Sequence, residues 1–245
     1  MIDFNKVIND PWLENIVLAS LPFYKYENGC LVANASGCLV EVNGKKFLLS
    51  ISHSNLTGPN WTVETKSNLG NGNIGQFLLV DRMKPLAQIK FDSSLFDSSK
   101  TKIVDFTYCM VNNQFITYHT LRINNTQELI AERTVFKMER NYSPNKNLKY
   151  GFFGHINFKK NDCKPTYDFR LESNLKFVDE KDEFYVFELD HNYGSHNNYL
   201  GCSGAPIIDE NNNLAALVSF GNRKKNLIYG IKIRDYMSAL IIDTI

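Results

Sequence analysis

Apolar residues along this chain gather in short runs with β-branched or aromatic character, and clusters of Asn, Gly, Asp, Ser and Lys separate them. That pattern belongs to many short strands, and helical spacing is scarce. Strands are predicted over 38–42, 46–50, 62–66, 76–81, 87–91 and 105–111, and again over 117–123, 134–139, 148–155, 184–189, 205–208, 214–219 and 227–233. Asn43-Gly44, between the first two, signals a two-residue hairpin turn, because both residue types tolerate positive φ. Tyr236, Met237, Leu240 and Ile241 recur at helical spacing and predict a terminal helix over about 234–242, with another short helix over 11–21. Repeated short strands joined by turns imply barrels or a sandwich. No internal repeat or low-complexity linker divides the chain, and a boundary is set near 112–119, between the two sets of strands.

Composition narrows the class. A chain of 245 residues with 43% hydrophobic and 13% aromatic content can bury a substantial core, which excludes a disordered or fibrous protein. Lys and Arg number 27 against 26 Asp and Glu, a formal charge of +1, so no global field favours nucleic acid or an anionic membrane. Asp3, Lys6 and Asp10 interrupt the amino terminus where a secretory signal needs an apolar core, and no later stretch approaches a membrane span. Cys30, Cys38, Cys109, Cys163 and Cys202 make an odd count with no Cys-x-x-Cys pair. Reduced thiols in the cytoplasm are the expectation, with no metal site and no cofactor.

Gly201-Cys202-Ser203-Gly204-Ala205-Pro206 is the most informative string. A Ser between small residues can expose its Oγ while neighbouring N–H groups converge on an oxyanion. Such tetrapeptides also occur in ordinary turns, so the reading needs a base and an acid to orient it. His53 follows the apolar run 46–51, and Asp105 stands at the mouth of the strand 105–111. No His follows Ser203, which removes the order Ser, acid, His, while the order acid, His, Ser would have to draw Asp3 or Asp10 from the amino-terminal tail. His, Asp, Ser remains, with room for several strands in each gap. Gly70-Asn71-Gly72-Asn73-Ile74-Gly75 matches a dinucleotide fingerprint in spacing, but 76–81 reads as a strand where a helix is required, and the segment is taken as a hairpin loop. Arg223-Lys224-Lys225 reads as a solvated turn.

Over roughly 30–242 the chain resembles the trypsin-like, chymotrypsin-fold serine peptidases, in particular disulfide-poor bacterial members. Leu48-Leu49-Ser50-Ile51-Ser52-His53 is similar to the family's strand-to-His motif, with Ile51 and Ser52 in place of two alanines. Asp105-Phe106-Thr107-Tyr108 is similar to its Asp motif, Gly201 to Pro206 to its Gly-Asp-Ser-Gly-Gly-Pro motif with Cys202 and Ala205 as departures, and Val218-Ser219-Phe220-Gly221 to the strand lining its cleft. The resemblance implies an all-β fold of two packed antiparallel β-barrels with a short C-terminal helix. Residues 1–115 would carry His53 and Asp105, and 116–245 would carry Ser203.

It also implies roles. Ser203 would be the nucleophile, His53 the base and Asp105 its orienter, with the N–H groups of Gly201 and Ser203 as oxyanion hole. Ser219 would donate to Asp105, Phe220 would shape the cleft, and Gly221 and Gly230 would keep a specificity pocket open, with neutral Asn197 at its base. The expected function is a serine endopeptidase acting on a protein or peptide substrate. It could be held in check by a regulatory protein or a small signal, as a bacterial defence or stress effector. The alternative is a catalytically silent binding module on the same fold. Cys202 stands where zymogen-type members carry an Asp that pairs with a cut amino terminus. Local hydrogen bonds and packing, or another molecule, would then have to order 200–204, without processing.

Overall fold

The structure is a computed structural model, and the residues it describes are 4–28, 30–54, 61–67, 74–79, 83–89, 101–113, 117–122, 128–138, 141–161 and 164–245. Two short helices come first, α1 (Phe4–Ile8) and α2 (Pro11–Ala19). Asp10 caps α2, its Oδ1 accepting from the N–H groups of Trp12 at 3.0 Å and Leu13 at 3.3 Å, and Pro11 occupies the first turn, where no N–H is needed. Leu13, Ile16 and Val17 face inward into one core with Val40 and Leu49 of the first half and Phe153, Ile208 and Leu217 of the second. α2 thus seals the seam between the halves.

The first half builds an eight-stranded sheet from β1 (Leu21–Glu27), β2 (Cys30–Val42), β3 (Lys45–Ser50), β4 (Trp61–Ser67), β5 (Ile74–Leu79), β6 (Lys84–Ile89) and β7 (Thr101–Val111). Its hydrogen-bonded path runs β5-β4-β1-β2-β3-β7-β6. The β2–β3 turn is the Asn43-Gly44 hairpin, with φ of 50° and 73°. β8 (Tyr118–Arg122) and β9 (Glu128–Glu132) pair with each other. β10 (Val135–Lys137) completes the sheet by pairing with β2 in parallel, Val135 opposite Leu39. A strand from beyond residue 116 therefore belongs to the first sheet; the expected division at 115/116 itself falls outside the described residues.

The second half is a closed barrel of β11 (Lys149–Asn161), β12 (Lys164–Lys181), β13 (Phe184–Glu188), β14 (Pro206–Asp209), β15 (Leu214–Asn222) and β16 (Leu227–Lys232), in the order β11-β12-β13-β16-β15-β14. Tyr150, Phe152, Tyr185, Phe187, Ile207 and Ala216 fill it. After a 3₁₀ turn at Ile233–Tyr236, α3 (Met237–Ile242) buries Met237 and Leu240, which places the terminal helix where the helical spacing puts it. The fold is thus mostly β, a closed barrel beside a second sheet with a short C-terminal helix. Among the described residues the first sheet is connected along an open path, where the sequence leads one to expect a second closed barrel. Cys30, Cys38, Cys109 and Cys202 form no disulfide among the described residues, while Cys163 and glycines 70 and 72 lie outside them. No described helix is long and apolar enough to cross a membrane.

Candidate active site

His53 sits on a 3₁₀ turn, Ser52–Ser54, that follows the buried end of β3. Ser52 fastens this turn to β7 by donating from Oγ to the carbonyls of Val104 at 3.1 Å and Phe106 at 3.0 Å. Asp105 lies between those two residues, flanked by buried Val104 and Phe106, so strand alternation turns its carboxylate away from the core and toward the turn. Its Oδ1 accepts the backbone N–H of His53 at 3.0 Å, and His53 Nδ1 stands 2.9 Å from Oδ1 and 2.8 Å from Oδ2. From β15, Ser219 Oγ donates to Oδ2 at 2.5 Å. On the other edge of the imidazole, Nε2 lies 3.3 Å from Ser203 Oγ.

Electrostatics follow from these contacts. Burial alone would raise the Asp105 pKa. The hydrogen bonds from His53 Nδ1, Ser219 Oγ and the His53 amide stabilise the anion and outweigh burial, so the carboxyl is held below the ordinary Asp value. An ionised carboxylate facing Nδ1 fixes the proton there and leaves the Nε2 lone pair facing Ser203.

Ser203 lies in the connection between β13 and β14, where Gly201 and Gly204 adopt φ of 101° and 86°. Side chains rarely accept such values. At Gly204 a Cβ would also strike the carbonyl of Ser36, and at Gly201 that of His155. The loop is tied down from two sides. Cys202 N–H donates to Tyr199 at 3.0 Å, Ala205 N–H to Cys202 at 2.9 Å and Gly204 N–H to Val218 at 2.8 Å. Across the seam, Ser36 of β2 donates from its amide to the Ser203 carbonyl at 2.9 Å and from Oγ to the Gly201 carbonyl at 2.8 Å. Ser50 Oγ in turn donates to the Ser36 carbonyl at 2.6 Å. The amides of Gly201 and Ser203 donate to no group among the described residues, and both residues border the cleft.

The cleft encloses about 290 Å³. Of the residues expected to line it, Ser219, Phe220 and Gly221 do so. Phe220 is 45% exposed and stacks on Tyr229 with ring centroids 4.5 Å apart, braced edge-on by Phe184. Asn197 and Gly230 do not line it. Asn197 belongs to the 3₁₀ turn His196–Tyr199 and is exposed, because the turn presents its neighbour His196 to the cleft instead. Gly230 is buried on β16 opposite Val218, and a Cβ there would meet Ala216 and Ile207 inside the barrel. Gly221 has a role of another kind: a Cβ would overlap the Tyr193 ring, so its absence lets that ring close the cleft wall. Val218 lines the cleft with Ser219, Phe220 and Gly221, as its strand motif implies, whereas sequence reading does not identify Asn34, Tyr193, His196, Tyr199, Leu200 or Ile228 as cleft residues. Between the predicted strands 184–189 and 205–208, nothing in the order of residues tells which side chains point inward.

No family model matches the sequence, and no curated protein matches it. Solved structures do. A serine endoprotease from Yersinia pestis superposes with a TM-score of 0.54 at 13% identity, covering 95% of this chain and 66% of that one. The human heparin binding protein superposes with a TM-score of 0.57 at 10% identity, covering 93% of this chain and 91% of its own. The chain therefore spans just under two thirds of the endoprotease and nearly the whole of the heparin binding protein. At such identities the likeness concerns the fold, and folds of this kind carry more than one function.

Proposed function

We propose that this chain, which has the fold of the trypsin-like serine peptidases, is a serine endopeptidase in which Ser203, His53 and Asp105 act as nucleophile, base and orienter. One observation carries the reading: an unbroken hydrogen-bonded series from Ser219 through Asp105 and His53 to Ser203, drawn from four separate elements. Structural packing alone gives no reason for a part-exposed His to bridge a carboxylate and a serine in this way. Ser203 Oγ forms a bond to the peptide carbonyl carbon as its proton passes to His53 Nε2. The carbonyl oxygen becomes an oxyanion, which the amides of Gly201 and Ser203 receive. His53 then gives its proton to the leaving amine as the C–N bond breaks. Water attacks the acyl-enzyme by the same route and frees Ser203. The 3.3 Å reach to Ser203 Oγ is within the looser range of a site without substrate.

The proposal includes a cytoplasmic setting and control by a regulatory protein or ligand. A fluorophosphonate probe tests the core of it: the full chain, alone or with its activator, should become labelled at Ser203, and Ser203→Ala should not. A folded wild-type protein that stays unlabelled with every activator offered would return the chain to the class of binding modules.

Specificity follows from the cleft. Among the described residues its walls are Tyr193, Tyr199, Leu200, Val218, Phe220 and Ile228, and the ionisable side chains lining it are His53, His196 and the two tyrosines, with no carboxylate among them. A Lys or Arg entering it would lose water without gaining a counter-charge. A peptide-library profile should favour uncharged, apolar residues at the cleavage site. A profile dominated by Lys and Arg would overturn this account of the cleft.

A further inference from the structure

Behind the cleft, β12 carries a charged cluster that the chemistry above does not use. The β11–β12 ladder slips between Tyr150 and Phe152, so that 173 and 174 together oppose Gly151. Such an extra residue reverses which side chains face the interior. Glu172, only 5% exposed, is brought inside by it. Glu172 Oε1 accepts from Arg170 Nε at 2.6 Å and from Tyr199 Oη at 2.9 Å, while Oε2 lies 2.9 Å from His191 Nε2. Arg170 Nη2 also donates to Tyr199 Oη at 3.0 Å, and its guanidinium lies over the Tyr199 ring at 4.9 Å. The Tyr193 ring covers that ring on its own side at 4.3 Å.

A buried carboxylate is costly to desolvate and gives little net stability even when paired. What such a cluster does supply is geometry. Tyr199 joins this cluster to the nucleophile loop: its side chain is held by Glu172 and Arg170, and its backbone meets the loop. Its carbonyl accepts the Cys202 N–H, and Cys202 is fully buried between Tyr199 and Ser203 in sequence. We propose that Glu172 is a positioning residue: by holding the Tyr199 phenol it fixes the turn from Tyr199 to Ser203 and so aims the Gly201 and Ser203 amides at the cleft. It does from inside the chain what an amino-terminal ion pair does in processed enzymes, for which this loop has Cys202 and no acid. The catalytic consequence rests on the Ser203 reading; the structural one does not.

The test uses the full chain with Glu172→Gln, Tyr199→Phe and the double variant. Iodoacetamide alkylation of Cys202, mapped by peptide mass in native buffer, reads loop closure without any enzyme activity. It should rise at least about tenfold in each single variant, the scale of a lost hydrogen bond to a charged group, while melting stays cooperative. The double variant should stay within about twofold of Tyr199→Phe, because once the Tyr199 hydroxyl is gone the charge at Glu172 has nothing left to hold in the turn. Fluorophosphonate labelling should fall by a similar factor in the same proteins. Cys202 as protected as in wild type in both singles would overturn the proposal, as would a multiplied effect in the double or full-rate labelling with Cys202 exposed. If Glu172→Gln fails to fold, Tyr199→Phe decides alone, since it removes a single oxygen. If Cys202 opens as expected while even wild type is never labelled, the clamp stands and the peptidase reading fails.

Discussion

Asp105→Asn should lower turnover by about four powers of ten while leaving the protein folded. Asp105 accepts from His53 Nδ1, which keeps that proton in place and presents the lone pair of Nε2 to Ser203. An Asn amide in the same position can donate to Nδ1 instead, which moves the imidazole proton to Nε2 and leaves Ser203 facing a donor. The comparison is kcat/KM on an apolar peptide, with the melting temperature alongside. Acid adds a second reading. The folded-state pKa of Asp105 is lowered, so its contribution to stability is fully present above the ordinary carboxylate value near 4 and is lost as pH falls through the lowered one. Any lead in melting temperature that wild type holds over Asp105→Asn should therefore narrow below about pH 4. Near-normal turnover in Asp105→Asn would remove Asp105 from the mechanism.

Ser203→Ala and His53→Ala should each cost about six powers of ten, and the double variant no more than either alone. Ser203 at its ordinary acidity is a poor nucleophile, and His53 is the base within reach of its hydroxyl. Removing one leaves the other without a task. Residual turnover should reflect the amides of Gly201 and Ser203, which remain in all three variants. Active-site titration of each preparation guards against traces of wild type. If the two losses multiplied, His53 and Ser203 would be acting independently, and the hydrogen-bonded series between them would have no catalytic meaning.

Much of the fold can be read from the chain because its strands are short apolar runs bounded by turn residues. β3, β7, β13, β15 and β16 lie where apolar runs end at Asn, Gly or Asp, and Asn43-Gly44 makes the turn its sequence specifies. β1 and β12 are missed for distinct reasons. Leu21–Glu27 continues the apolar run of α2, and only the cap-to-strand change at Ser20 divides them. In β12 the slip opposite Gly151 reverses alternation midway and sends Glu172 inward, so a genuine strand of 18 residues reads as charged loop. The parallel pairing of β10 with β2 depends on a long-range register that no local pattern encodes. At the site, motif order singles out His53, Asp105, Ser203 and Ser219, because each sits in a short distinctive string; Asp105 lies within β7, which begins at Thr101, rather than at the strand mouth the sequence suggests. Asn197 falls outside the cleft because counting back from Ser203 assumes a loop length that the turn at His196–Tyr199 does not keep, and Gly230 because β16 turns that position into the barrel.

Ser36 on β2 joins the loop of Ser203 across 165 positions of sequence, and it does so through both its amide and its hydroxyl. Contacts so distant in the chain close late in folding, after each sheet has formed from its nearer neighbours. The first sheet alone would hold His53 and Asp105 without a nucleophile, and the barrel alone would hold Ser203 with two loop carbonyls unpaired. A chain whose halves had formed but not docked would have native-like strands and no assembled site, and the hydroxyl of Ser203 would meet His53 only on docking.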